Sequence, residues 1–275
     1  MTNTGTANSG AAISIRGVSM SYSGRRVLES VDLDVCRGEV LVLLGGSGSG
    51  KTTLLKHVLG LEKPEAGSIT IDGVDITSCS PSELAAVRRR IGVAFQASAL
   101  FNSLTVAENV ALPLRELTRL ADSTIKLVVW LKLKAVGLSE AASLYPPELS
   151  GGMRKRAAVA RAMALDPEIL ILDEPSAGLD PIVSAGLDEL ILFLNRSFGI
   201  TILVVTHELA SAFHIAGRVA MLYQGRLIAV DSKEEFVHNT HPRIRQFLDR
   251  QADEMPQVAA EKFIEAYLGG PDNDH

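Results

Sequence analysis

Short apolar runs alternate with stretches of helical spacing along most of the chain. The run 40–44 is continuously apolar, as is typical of a strand buried on both faces, and 169–172 repeats this pattern. Shorter or alternating runs predict further strands, at 13–18, 31–35, 67–71, 91–95 and 200–205. Residues 218–222 and 226–230 flank Gln224-Gly225 and predict a hairpin.

Helical spacing predicts seven helices between these strands, at 51–59, 81–90, 107–117, 124–136, 151–164, 183–198 and 209–216. Buried strands that alternate with helices indicate an α/β fold with a mainly parallel sheet. The stretch 100–149 contains helices and no convincing strand, which indicates an inserted helical subdomain. Within it, Val128, Val129, Trp130 and Leu131 predict a helix that is apolar around much of its circumference and therefore buried.

The two ends of the chain differ from its middle. Residues 1–11 read as a disordered lead-in without the basic and apolar regions of a signal peptide. Beyond 234 the composition turns polar, with one amphipathic helix predicted at 258–268. We therefore expect a catalytic domain at 12–235, its helical subdomain at about 98–149, and a tail at 236–275.

Composition excludes several classes of protein. The 275 residues carry 27 Lys and Arg against 32 Asp and Glu, a net charge of −5, which argues against a broad nucleic-acid surface. No apolar window is long enough to span a bilayer, and Cys36 and Cys79 do not form a disulfide framework. We expect a cytoplasmic protein that is soluble or peripherally attached to a membrane.

A glycine-rich turn follows the apolar run 40–44. It fits the pattern G-x-x-x-x-G-K-[ST] through Gly45, Gly46, Ser47, Gly48, Ser49, Gly50, Lys51 and Thr52. The glycines let backbone N–H groups surround a phosphate, and the following helix points its positive end at the same anion. Lys51 would reach the β and γ phosphates, and Thr52 would offer a hydroxyl to Mg²⁺.

Polar residues at the ends of two later apolar runs complete a candidate site. Asp173 and Glu174 follow 169–172, where a carboxylate could hold Mg²⁺ and Glu174 could act as a general base. His207 follows 200–205. Ser150 begins a helix with Gly151 and Gly152, a second anion-binding start that makes sense if it covers the nucleotide of a second copy.

In this order and spacing, the motifs resemble those of the nucleotide-binding subunits of ABC transporters, over about 13–230. The resemblance implies a P-loop (RecA-like) parallel-sheet core, a small antiparallel β subdomain and an inserted helical subdomain. It also implies ATP and Mg²⁺ as cofactors. The glycine-rich turn with Thr53 is then the Walker A loop, and Lys51 is counted among the catalytic residues.

The resemblance assigns further roles residue by residue. Tyr22 would stack on adenine, Gln96 would contact Mg²⁺ and water, and Asp173 would hold Mg²⁺. Glu174 would be the catalytic base and His207 would contact the γ phosphate. The remaining nucleotide-binding residues are Ser150, Gly151 and Gly152 in the signature motif and Asp180 in the D-loop. Met153 stands where the family usually has Gln.

A finer resemblance to the Mla/Mce-type phospholipid-transport ATPases lies in 95–106, 108–110, 113–116, 149–158 and 241–248. It implies a head-to-tail homodimer on the cytoplasmic face of an inner membrane, with permease subunits, an MCE-domain lipid-binding protein, a STAS-domain protein and no nucleic acid. The alternatives are the ATPase of another transporter, such as a small-solute importer or a solvent-tolerance system, and a soluble ABC ATPase. A module that binds nucleotide without hydrolysis is disfavoured by the intact Glu174 and His207.

Overall fold

The computed structural model describes residues 10–251, and contacts divide the chain into two compact units on either side of the Phe236–Val237 bond. In the described part of the first unit, a small antiparallel sheet has the strand order β2-β1-β4-β5. Its strands are β1 Ala11–Tyr22, β2 Arg25–Cys36, β4 Ala66–Ile71 and β5 Val74–Asp75. β1 begins one residue inside the lead-in that the sequence predicts.

A larger sheet forms the centre of the fold, with the strand order β10-β9-β3-β8-β7-β6. Its strands are β3 Val40–Leu44, β6 Ile91–Ala94, β7 Ile169–Asp173, β8 Thr201–Thr206, β9 Arg218–Tyr223 and β10 Arg226–Ser232. All neighbours are parallel except the predicted β9–β10 hairpin. Every residue of β3 and β8 is buried, which explains the continuous apolar run of β3 and the four apolar residues between the terminal threonines of β8.

The helices of the core connect these strands. They are α1 Lys51–Val58, α2 Pro81–Arg89, α5 Gly151–Ala162, α6 Pro181–Phe198 and α7 Leu209–Ile215. The predicted α/β class, with a parallel core and a small antiparallel sheet, is confirmed. Among residues 10–251, no helix has both the length and the apolar character that crossing a membrane requires.

Between β6 and α5 the described chain forms helices and turns without a strand. It contains α3 Val106–Leu117, α4 Asp122–Ala135 and two 3-10 turns, Ser139–Ala141 and Pro146–Glu148. The predicted burial of α4 is wrong, since Trp130 is 49% exposed and Leu131 50%. Only one face of α4, which includes Val129 and Leu133, is covered. An apolar sequence determines which side chains could be buried, and the neighbouring helices determine which are.

Asn109 fixes the loop that leads from β6 into α3. Its buried amide accepts a hydrogen bond from the Phe101 N–H and donates to the carbonyls of Phe101, Leu104 and Thr105. Thr105 also caps α3 by accepting from the Glu108 N–H. The loop that carries Gln96 therefore meets a rigid segment at its far end.

Two short helices follow the central sheet where the polar composition predicts a tail. They are α8 Lys233–His238 and α9 Pro242–Leu248. Phe236 is fully buried, and its ring centroid lies 6.2 Å from that of Phe213. Phe236 is the buried residue of α8, and one buried side chain in a polar stretch gives too weak a periodic pattern to predict a helix from the sequence. The predicted helix at 258–268 lies outside the described residues.

Gly152 allows α5 to pack closely against α6. A Cβ atom at Gly152 would lie 2.4 Å from the Val183 Cγ1 atom, far inside van der Waals contact. Gly152 is not among the glycines with positive φ, so its backbone would tolerate another residue. The absence of a side chain at this position is therefore needed for the packing of two helices, whatever else this glycine does.

We predict that Gly152→Ala lowers the free energy of unfolding by about 1–3 kcal/mol, because the stiff Val183 side chain must move. In a Val183→Ala background, the same change should be neutral or stabilising, since alanine otherwise favours a helix over glycine. Chemical denaturation of the four chains measures both effects. Equal losses in the two backgrounds would show that Val183 is not the cause.

Candidate active site

The glycine-rich turn joins β3 to α1 and is held against its neighbours. A Cβ atom at Gly45 would lie 2.4 Å from the Leu222 carbonyl oxygen. Gly50 caps α1 with φ near +107°, in a region that side chains rarely adopt. The backbone therefore has the close approach and the conformation that a phosphate-binding loop needs.

Lys51 lies inside this loop rather than in solvent. Its Nζ atom donates hydrogen bonds to the carbonyl oxygens of Gly45, at 2.6 Å, and Gly46, at 3.0 Å. Burial lowers the pKa of Lys51, and the negative charges of Glu174 and Asp173 oppose that shift. Lys51 therefore lies at the start of α1, where the helix dipole also attracts an anion.

A cavity of about 560 Å³ opens beside the loop. Among the described residues, its lining brings together Tyr22, Arg25, Arg26, Val27, Gly48, Ser49, Gly50, Lys51, Thr52, Thr53, Gln224 and Gly225. The half-exposed Tyr22 donates a hydrogen bond of 2.6 Å from its hydroxyl to the Glu62 carboxylate. Sequence reasoning missed the two arginines and Gln224, although the arginines lie three and four residues after Tyr22 and Gln224 lies in the predicted hairpin turn.

The two carboxylates lie at the carboxyl edge of the parallel sheet, as predicted. Asp173 ends β7 opposite Val205 of β8, and Leu44, which ends β3, pairs with Thr206. This register places the phosphate loop, Glu174 and His207 at one edge of the sheet.

Glu174 is buried and held by two side chains from the end of β8. The Thr206 hydroxyl donates to its Oε2 atom at 3.0 Å, and His207 Nδ1 lies 2.8 Å from its Oε1 atom. The Glu174 N–H donates to the Val205 carbonyl, and its φ of +47° is unusual for a non-glycine residue. Sequence reasoning missed Thr206, whose position at a strand end beside His207 was the available signal.

The oxygen donors near the loop fit a hydrated Mg²⁺. Burial and the charge of Glu174 raise the pKa of Asp173, while Lys51 and Lys155 oppose that shift. In residues 10–251 no group of three or more His, Cys, Asp or Glu side chains could hold a metal on its own. The Asp173 carboxylate and the Thr52 hydroxyl suit an ion that also binds phosphate oxygens and water, while Gln96 is exposed and its backbone carbonyl accepts from Lys155.

The signature residues do not join this cavity within one chain. Ser150 caps α5, where its hydroxyl accepts from the Met153 N–H at 3.3 Å, as predicted. Asp180 caps α6 by accepting from the N–H groups of Ile182 and Val183. Among the described residues that line the nucleotide cavity, none comes from these motifs. Asp173, Glu174, His207 and Gln96 are likewise absent from this lining, which is formed by the loop and the residues around Tyr22.

Comparison with known proteins agrees with this geometry. Residues 28–177 match the profile of the ABC transporter family. The probable ribonucleotide transport ATP-binding protein mkl of Mycobacterium leprae is 42% identical over 273 residues, covering 95% of this chain and 79% of that protein. The intermembrane phospholipid transport system ATP-binding protein MlaF of Escherichia coli K12 is 43% identical over 241 residues, covering 88% and 90%.

Solved structures lead to the same family. A dimeric, post-hydrolysis structure of the ATP-binding cassette MJ0796, bound to ADP and Pi, has a TM-score of 0.74 and 32% identity, covering 80% of this chain and 98% of that one. The cbiO1 protein of Clostridium perfringens, part of an ABC transporter complex, has a TM-score of 0.78 and 28% identity, covering 93% and 100%. The chain belongs to the ABC transporter family and is one of its ATP-hydrolysing cassettes.

Proposed function

We propose that this chain is the ATPase subunit of a phospholipid transporter at the cytoplasmic face of an inner membrane. The observation that carries its chemistry is the Glu174 carboxylate, held by Thr206 and His207 beside the phosphate loop. The similarity to MlaF over most of both chains supports the cargo. The relative mkl is named for ribonucleotide transport, so a small-solute cargo is the second candidate.

The geometry supports a direct route for hydrolysis. ATP would lie in the cavity beside Tyr22, with its phosphates against the loop and Lys51. Thr52, Gln96 and Asp173 would hold Mg²⁺, which supplies charge neutralisation at the phosphate oxygens. Glu174 would accept a proton from the attacking water, and His207 would lie near the γ phosphate. The bond from Thr206 orients the base without protonating it, because a hydroxyl donates to a carboxylate.

A second copy would complete each site. The signature helix start at Ser150 is a second anion-binding helix start, in a chain whose own phosphate loop already surrounds the phosphates. The dimeric state of the MJ0796 cassette supports a head-to-tail arrangement. Two ATP molecules would then be enclosed between two copies, and closure would bring the helical subdomains together.

A groove between α3 and α4 would receive the permease. It has a volume of about 270 Å³ and a mainly apolar lining, in which the half-exposed Trp130 lies beside the buried Ala111 and Val129. Exposed apolar surface of this kind commonly marks a protein interface. The resemblance to Mla/Mce-type systems adds an MCE-domain lipid-binding protein and a STAS-domain protein as partners, with no role for nucleic acid.

We expect Glu174→Gln to keep ATP binding and to lower turnover about a hundredfold or more, because the amide cannot accept the proton. The variant should accumulate as a nucleotide-bound dimer. ATP affinity and hydrolysis, measured in the transporter complex, test this expectation. Glu189→Gln changes an exposed carboxylate on α6 and is the control. Wild-type turnover in the Glu174 variant would remove it from the role of base.

We expect Ser150→Arg to leave the ATP affinity of the single chain nearly unchanged and to block dimer closure. The arginine side chain would fill the position at the signature helix start that receives the γ phosphate bound by the second copy. Ser80→Arg is a matched control, since Ser80 caps α2 in the same way. Light scattering with ATP reports closure, and fluorescent nucleotide reports affinity. A collapse of affinity in the monomer would assign Ser150 to the chain's own site.

The cargo is tested in proteoliposomes that contain the complete complex and a fluorescent phospholipid. ATP should drive phospholipid transfer in the wild type and not in the Glu174→Gln complex. Transfer of a ribonucleotide instead, with phospholipid unmoved, would favour the second candidate. The rate of ATP hydrolysis, measured with phospholipid and with ribonucleotide, tests the cargo preference independently, since the transported compound should stimulate it.

A further inference from the structure

One side chain of the signature helix binds the backbone of two active-site segments. The Lys155 Nζ atom donates to the carbonyl oxygen of Gln96 at 2.6 Å and to that of Glu174 at 2.9 Å. Lys155 is almost completely buried. Burying an ammonium group is costly unless it is fully hydrogen-bonded, so these carbonyls are its compensation.

The contact with Glu174 acts at a strained point of the chain. A residue with φ of +47° occupies a sparsely populated region, which persists only where surrounding contacts impose it. The Val205 carbonyl holds the Glu174 N–H on one side, and Lys155 holds the Glu174 carbonyl on the other. The direction of the carboxylate toward Thr206 and His207 follows from this backbone conformation.

The contact with Gln96 belongs to a wider attachment of the same loop to α5. Arg161, six residues further along the helix, donates to the carbonyls of Ala99 at 2.7 Å and Ser98 at 3.1 Å. Ser98 and Ala99 both have positive φ, so this loop is also held in an unusual conformation. Among these two cations, Lys155 is the one that also reaches Glu174.

We propose that Lys155 is a positioning residue that ties the loop of Gln96 to the catalytic Glu174. The proposal rests on the ATPase function proposed above. In this role the ammonium group need not contact nucleotide or water. Its Nζ atom binds the carbonyls of Gln96 and Glu174 together, so that the Gln96 loop and the Glu174 backbone move as one. A displacement of the Gln96 loop would pull on Lys155 and thereby change the backbone that aims the Glu174 carboxylate.

Arg156 provides a matched control on the same helix. It also donates to two backbone carbonyls, those of Val136 at 3.3 Å and Gly186 at 2.9 Å. Both lie outside the nucleotide cavity and the carboxylate pair. Replacing Arg156 by Met removes a partly buried cation and two backbone hydrogen bonds, and it leaves the contacts of Gln96 and Glu174 in place. The variant therefore measures the structural cost of losing a cation of this kind from α5.

The experiment compares Lys155→Met, Lys155→Arg and Arg156→Met in the transporter complex. We expect Lys155→Met to lower kcat about tenfold or more while the KM for ATP changes less than about threefold, because the phosphate loop and Tyr22 stay in place. Lys155→Arg should recover most of the turnover, since a guanidinium donates to both carbonyls. Arg156→Met should keep kcat even where it lowers the thermal midpoint.

Hydrogen exchange of the peptide 95–101 gives a second reading. We expect faster exchange in Lys155→Met than in Arg156→Met at equal distance below each thermal midpoint. The inference is overturned if Lys155→Met keeps wild-type kcat, or if Arg156→Met loses as much turnover. A wild-type complex that hydrolyses no ATP overturns the proposed function and this inference together, whereas an active wild type with an unaffected Lys155 variant overturns this inference alone.

Discussion

The parallel pairing of β8 with β3 on one side and β7 on the other determines the active site. The three strands end at the same edge of the sheet, and each carries functional residues at its last position or just beyond it. β3 leads to the phosphate loop, β7 to Asp173 and Glu174, and β8 to Thr206 and His207. A slip of the β8 register by one residue would exchange the faces of Thr206 and its neighbours and would remove a hydroxyl from the buried carboxylate.

Helix α5 is the second organising element, because it serves three regions at once. Its first turn carries the signature residues, with Ser150 as the cap and Gly152 against Val183 of α6. Its middle and end hold the Gln96 loop and the Glu174 backbone through Lys155 and Arg161. A change in the position of α5 would therefore reach the signature residues and Glu174, the proposed catalytic base, through these contacts.

The sequence was informative where chemistry is local. The phosphate loop, the carboxylate pair and His207 each follow a buried apolar run, and the predicted bounds of β3 agree with the structure. Lys155 escaped prediction because its partners are distant in sequence and no spacing rule connects them, whereas Thr206 carried a signal in its position at a strand end beside His207. The exposure of one apolar face of α4 could not be predicted for another reason. Periodicity identifies an apolar face, and only tertiary packing decides whether a neighbouring element covers it.

The central claim is that each ATP site is shared between two copies, and an inter-chain cross-link tests it most directly. One chain would carry Ser47→Cys and a second, differently tagged chain Ser150→Cys, both with Glu174→Gln and with Cys36 and Cys79 replaced by Ser. Ser47 and Ser150 are both exposed. We expect ATP to promote a disulfide between the two chains, which gives a cross-linked product of twice the mass of one chain. It is contradicted if that product does not form with ATP, while a single chain carrying both cysteines closes the same bond internally.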